Sequence, residues 1–197
     1  MKHSEKRDFK FDKRADKYDD HFEGKLSKVF YKLIYDNIKL FDSAQVLDVG
    51  CGTGTILKTL SERYKIVAHG IDVENEMLKV AKTKCPGMDI QLCSCEATPF
   101  ADKSLDAVIA CMAYHHFPDK GAFEKEVARI LKSGAKLYIA DPNFPLVLRK
   151  IINILVRNLN REFFSSKEIA MRFEKSGFKL VTIKKRAYGQ LVVLEKL

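Results

Sequence analysis

Three acidic side chains recur at matching places, each at or just after a short apolar run. Asp48 lies in VLDVGCGTG (46–54), Asp72 in HGIDVENEM (69–77) and Glu96 in CSCEATPF (93–100). The first run passes into a glycine turn, Gly50-x-Gly52-x-Gly54. Such turns usually hold phosphate, because glycine lets the backbone approach a ligand and the following helix N-terminus favours negative charge. A carboxylate two residues before the first glycine works against phosphate and favours a ligand carrying an ammonium or sulfonium group. The spacing also departs from GxGxxG, with Thr55 standing where a third Rossmann glycine would be. Asp72 occupies the place where an acid pairs with ribose hydroxyls in nucleotide-binding α/β folds. Asp106 opens its run in SLDAVIAC instead of closing it, and reads as structural.

A second group follows the fourth run, in CMAYHHFPD (111–119). His115 and His116 fall where a general base would serve a proton-bearing acceptor. The plainer reading has one ring packed under the loop and the other solvated. Tyr114, Phe117 and Phe144 fit apolar pocket walls and fit ordinary core equally. Cys51, Cys95 and Cys111 also fall at strand ends, where buried, inert thiols are the expectation. No cysteine pairing of metal type occurs, so no metal site is expected.

The elements that must position these residues alternate. Apolar runs at Gln45–Val49, Ile66–Ile71, Asp89–Cys93, Leu105–Cys111 and Ala135–Ala140 read as strands. Amphipathic stretches at Ile56–Tyr64, Glu74–Lys82 and Lys120–Leu131 read as helices between them. Alternation at this spacing implies right-handed βαβ units and a parallel sheet covered on both faces. The strand-end acids then share one edge, beside the topological switch point where open α/β sheets bind ligands. A helix is expected from about Lys25 to Phe41, and another to about Asn160 with Asn143 as cap and Pro145 just inside. Ser165 and Glu168 have capping-box spacing for a helix over Ser166–Ser176. Two last runs, Lys179–Arg186 and Leu191–Glu195, form a hairpin near Tyr188-Gly189-Gln190. The expectation is a Rossmann-like, doubly wound α/β fold. Its seven-stranded sheet is mostly parallel, with an antiparallel C-terminal strand, and an N-terminal helix precedes it. Residues 1–197 read as one domain, with 1–41 and 144–176 as helical segments closing over the site.

Composition is that of a globular protein, with 46% hydrophobic and 31% charged residues. No apolar stretch reaches the roughly 18 residues of a membrane span. The polar start MKHSEKRDFK and the five cysteines point to the cytoplasm. Net charge is +9, and residues 144–197 carry twelve basic against four acidic side chains. That excess admits an acidic partner, a nucleic acid or a membrane surface, although interleaved charges fit a solvated surface best. Residues 143–161 combine Leu146, Leu148, Ile151, Ile152 and Leu155 with Arg149, Lys150, Arg157 and Arg161. A lid over an apolar substrate, a face for lipids and packing against the sheet all suit it, packing being the plainest.

On these motifs the chain resembles the class I S-adenosylmethionine-dependent methyltransferases. The likeness is to the small-molecule type typified by ubiquinone and menaquinone C-methyltransferases, and it runs over about residues 11–180. VLDVGCGTG resembles the family's first motif. The resemblance implies S-adenosylmethionine as cofactor and S-adenosylhomocysteine as product. It places Asp48 near the cofactor's amino end, with Gly50, Cys51, Gly52 and Gly54 letting the ligand lie on the main chain. Asp72 matches the acid that holds both ribose hydroxyls, and Val73 and Met77 would flank the adenine. Cys95, Glu96 and Ala97 match the adenine edge, and Cys111 the floor of the methionine end. FDKRADKYDD is similar to an N-terminal segment in which Tyr18 helps close the pocket. Ser133-Gly134-Ala135 departs from the family's Pro-Gly-Gly, in a turn remote from the cofactor.

The implied function is methyl transfer to a small-molecule acceptor, at carbon or oxygen. Methylation of RNA is the related alternative, but ACMA (110–113) is not the Asn/Asp-Pro-Pro-aromatic motif that grips a planar base. A cofactor-binding protein without turnover is a third reading. A nicotinamide oxidoreductase comes last, given Asp48 and the missing glycine.

Overall fold

The computed structural model describes residues 22–159 and 161–197. Tyr18 and the FDKRADKYDD segment lie outside the described residues.

Seven strands form one sheet. In chain order they are β1 (Gln45–Val49), β2 (Val67–Asp72), β3 (Asp89–Leu92), β4 (Leu105–Cys111), β5 (Leu131–Pro142), β6 (Phe178–Arg186) and β7 (Gly189–Lys196). Across the sheet the order is β3-β2-β1-β4-β5-β7-β6. The first five are parallel, and β7 runs antiparallel to both β5 and β6. Helices α1 (Phe22–Tyr35), α2 (Thr55–Arg63), α3 (Asn75–Lys84), α4 (Lys120–Ile130), α5 (Leu146–Val156) and α6 (Ser166–Glu174) complete the fold.

Alternate strand residues feed opposite faces, as the period of two requires. Leu47, Val49, Val108, Ala110, Leu137 and Ile139 pack under Phe123 and Val127 of α4 and Ile169 and Phe173 of α6. Val46, Ala107, Ile109, Tyr138 and Ala140 pack under Phe30 and Ile34 of α1 and Ile56 and Leu60 of α2. Burial on both faces explains why these strands read as unbroken apolar runs. The sheet winds outward in both directions from β1 and β4, so their carboxyl ends form the switch point. Asp106, at the opposite edge, accepts from the Gln45 amide at 2.9 Å and from Lys132 Nζ at 2.7 Å.

Several boundaries differ from the sequence reading. Helix α1 stops at Tyr35, where the Asn37 side chain donates to the Leu33 carbonyl at 2.8 Å and draws the chain out of the spiral. Ile38 still tucks into the core, but Phe41 is 62% exposed. Strand β5 begins four residues early, at Leu131, across a register shift in its pairing with β4. Pro145, not Asn143, caps α5, and the helix gives way at Val156 to a 3-10 turn over Arg157–Leu159. The capping box of α6 is present, with Glu168 Oε2 accepting from the Ser165 amide at 2.7 Å. The expected packing of α5 against the sheet does not occur: Arg149 is its one buried residue.

Candidate functional site

The glycine turn hangs from β2. The amides of Gly50 and Cys51 both donate to the Ile71 carbonyl, at 2.8 and 3.0 Å. Gly52 donates its amide to Asp72 Oδ2 at 2.8 Å, and the Glu74 amide donates to Asp72 Oδ1 at 3.0 Å. Asp72 therefore braces the turn while closing β2. The turn's glycines have distinct surroundings. A Cβ on Gly50 would sit 2.7 Å from the Ala113 Cβ, whereas one on Gly52 would meet nothing within 4 Å. Both have left-handed backbone, with φ of 72° and 51°. The turn is thus pressed against the loop after β4 on one side and open on the other.

Asp48 faces this turn from β1. It is 2% exposed, and its Oδ1 has no hydrogen-bond partner. Burial, with the Asp72 carboxylate adding to it, pushes the Asp48 carboxyl up to about 8. Burial raises Asp72 as well, against the pull of its backbone donors. Two acids at neighbouring strand ends, one with an orphaned oxygen, make a place for positive charge. A cation favours the ionised form of these two acids, so an ammonium or sulfonium group gains there what a phosphate does not. The residues present therefore suit S-adenosylmethionine.

The remaining expected cofactor residues spread along the same edge. Met77 is buried at the start of α3, and Val73 is 58% exposed beside it. Glu96 follows β3 but spans to α4, where its Oε1 accepts from the Asp119 amide at 3.0 Å. Ala97 is exposed next to it. Cys51, Cys95 and Cys111 are buried, and burial raises all three thiols, Cys95 to about 12. They stay protonated and line walls. Among the described residues no three His, Cys, Asp or Glu side chains gather to hold a metal ion.

A 3-10 turn over Tyr114–His116 carries the two histidines. Asp141, at the end of β5, takes the His115 backbone amide on Oδ2 at 2.9 Å and faces His115 Nδ1 with Oδ1 at 3.0 Å. The His115 ring stacks on Phe163 at 4.7 Å, and the His116 ring lies 4.0 Å away. In a neutral imidazole, a carboxylate acceptor at Nδ1 selects the tautomer that leaves the lone pair on Nε2. Tyr114 turns away from this group: its hydroxyl donates to Glu124 at 3.0 Å, and Arg172 donates to both. Phe117 is likewise core. Phe144 meets Phe163 edge-on at 5.2 Å, at the mouth of a groove of about 640 Å³. Leu146, Leu148, Arg149, Lys185 and Tyr188 line that groove.

Sequence reasoning missed Asp141, Phe163 and Gln190. Asp141 had a signal, since it ends the fifth strand as the other acids end theirs. Gln190 is fully buried opposite Asp141 in β7, donates to the Phe164 carbonyl at 2.7 Å, and keeps an unpartnered Oε1. Nothing in its sequence neighbourhood distinguishes it.

The chain is similar to known methyltransferases. The methyltransferase domain family model matches residues 47–139. Demethylmenaquinone methyltransferase of Chlorobaculum parvum is 32% identical over 136 residues, 68% of this chain and 54% of that protein. The chain thus spans about half the length of the curated relatives it matches there. A Haloferax volcanii methyltransferase solved with the Trm112 methyltransferase activator superposes with a TM-score of 0.82 at 19% identity, covering 94% of this chain and 97% of that one. An S-adenosylmethionine-dependent methyltransferase from Aquifex aeolicus gives 0.74 at 22% identity, covering 94% and 98%. The glycine turn, the strand-end acids and these matches together make the chain a member of the class I S-adenosylmethionine-dependent methyltransferases.

Proposed function

We propose that this chain transfers a methyl group from S-adenosylmethionine to a small-molecule acceptor, at carbon or oxygen. The buried, unpartnered Oδ1 of Asp48, two residues before a glycine turn that is open at Gly52, carries the reading. When bound, the cofactor supplies a sulfonium-activated methyl group for in-line displacement. Everything else is alignment, water exclusion and proton handling by the chain.

Asp48 and the 50–54 turn hold the methionine end, with Cys111 beneath it. Asp72 takes the ribose hydroxyls on the lone pairs its two backbone donors leave free. Val73, Met77 and Ala97 border the adenine, with Cys95 and Glu96 beside them. The acceptor enters by the groove at Phe144, whose ring meets Phe163, which in turn stacks on the His115 ring. Asp141 fixes the His115 tautomer, so that Nε2 can take the proton an acceptor loses on methylation. His116, its ring tilted at 41° to that of His115 and 4.0 Å from it, helps set that ring's position. Within a single domain, the segment 144–176 borders this path. Five free thiols fit a reducing compartment, and we place the protein in the cytoplasm.

Calorimetry with S-adenosylmethionine and S-adenosylhomocysteine on wild type and Asp72→Ala is the direct test. Removing a charged, bidentate contact should weaken both by about two powers of ten. Demethylmenaquinone, the substrate named for relatives, is the first acceptor to supply, with S-adenosylhomocysteine formation as the readout. A folded wild type that binds neither compound would overturn the reading.

A further inference from the structure

Helix α5 is turned inside out. Its inward face carries Arg149, which reaches Glu168 at 3.0 Å, and Asn153, whose side chain exchanges two hydrogen bonds with the Phe163 backbone at 2.9 and 3.0 Å. Its outward face carries Val147, Ile151, Ile154 and Leu155, at i, i+4, i+7 and i+8. Val147, Ile154 and Leu155 are 71, 75 and 72% exposed, and Leu148 and Leu159 extend the patch. Polar anchors on the inside fix this orientation, so the apolar stripe is held outward by design of the sequence rather than by default. A contiguous exposed patch of this kind marks a surface that meets something apolar.

Charge decides what that is. From 143 to 161 the sequence contains Arg149, Lys150, Arg157 and Arg161 and no acid. Lys150 and Arg157 fall on one flank of the helix, beside the apolar stripe, and Lys185 lies across the adjoining groove. A second copy docked by a two-fold contact on α5 would bring like charges together with no carboxylate on the helix to offset them. A short amphipathic helix with an apolar stripe and a purely basic flank has instead the character of an interfacial helix on an anionic bilayer. Its eleven residues are too few to cross one. We infer that α5 seats this protein on the surface of an anionic membrane, with Ile154 and Leu155 entering the headgroup boundary and Lys150 and Arg157 meeting lipid phosphates. This is independent of which acceptor is methylated.

Vesicle co-sedimentation of the full chain tests it, with phosphatidylcholine alone and with about one-third phosphatidylglycerol added. Wild type should pellet with the anionic vesicles at low salt, several-fold less at about 0.5 M salt, and little with phosphatidylcholine. The double variant Ile154→Asp/Leu155→Asp should pellet about tenfold less. Both positions are exposed, so its circular dichroism and its heat of S-adenosylmethionine binding should match wild type. Wild type left in the supernatant with anionic vesicles at low salt would overturn the inference, as would equal pelleting of the variant. A wild-type dimer that the variant renders monomeric would assign the face to a second copy and overturn it too. The cofactor heat, read on the same samples, separates these failures from a failure of the methyltransferase reading.

Discussion

Asp141 holds His115 by two atoms at once, its backbone amide at 2.9 Å and its ring Nδ1 at 3.0 Å. One carboxylate thereby fixes the place of the turn and the direction of the imidazole. If His115 is the base, His115→Ala should lower the methylation rate by about 10²- to 10⁴-fold. Asp141→Asn should do nearly as much by releasing the tautomer. Calorimetry should find cofactor affinity unchanged within about threefold, since Asp141 spends both its oxygens on His115. A loss of affinity equal to the loss of rate would make the pair a binding element instead.

Asp48 titrates at about 8, far above its ordinary value. Its raised carboxyl adds stability below the ordinary carboxylate range, and that stability is lost as pH rises toward 8. Thermal unfolding of the cofactor-free protein should therefore show a fall in stability from pH 5 to pH 8 that Asp48→Asn removes. Binding of a cationic ligand at pH 7 should expel a proton from Asp48. The heat of S-adenosylmethionine binding should then vary with the ionisation enthalpy of the buffer, and that variation should vanish in Asp48→Asn.

Gly50 and Gly52 should fail in different ways. Gly50→Ala puts a methyl group 2.7 Å from Ala113 in left-handed backbone. It should cost about 2 kcal/mol of folding stability. Gly52→Ala carries the backbone penalty alone, about 1 kcal/mol, but fills the open side of the turn. Denaturation should find Gly50→Ala the less stable, and calorimetry should find Gly52→Ala the weaker binder of cofactor. The opposite ranking would contradict the assignment of the open side.

Tyr114 belongs to the core by its contacts with Glu124 and Arg172. Tyr114→Phe should cost about 1 kcal/mol of stability, the worth of a hydrogen bond partly kept by the remaining pair. Steady-state kinetics should show KM for the acceptor unmoved. A rise in KM would return Tyr114 to the pocket.

The middle of the sheet was legible because β1, β4 and most of β5 are buried on both faces, and unbroken apolar runs such as AVIA satisfy that. The turn at 50–54 and the acids at 48 and 72 stood out in the sequence because a generic strand end needs neither three close glycines nor a carboxylate beside them. Asp141 escaped notice because its partner, His115, lies 26 positions away and meets it only through the β4–β5 pairing. Helix α5 was misjudged for a related reason. Its periodicity shows an apolar face, but which way that face points is set by Arg149 and Asn153 finding partners at Glu168 and Phe163. Helix α1 ended early through one amide, Asn37, whose capping bond no periodicity announces.

The outermost strand, β6, gives the basic C-terminal third a further meaning. Lys179, Lys184, Lys185 and Arg186 stand along it, all exposed. Its free rim would otherwise be a template on which another unfolded or folded chain could lengthen the sheet. Lys179 pairs with Glu195 at 2.8 Å and Arg186 lies 3.9 Å from Asp36, so Lys184 and Lys185 carry most of the repulsion that such a junction between two copies would meet. Replacing Lys184 and Lys185 with neutral residues should leave circular dichroism unchanged and raise light scattering at high protein concentration.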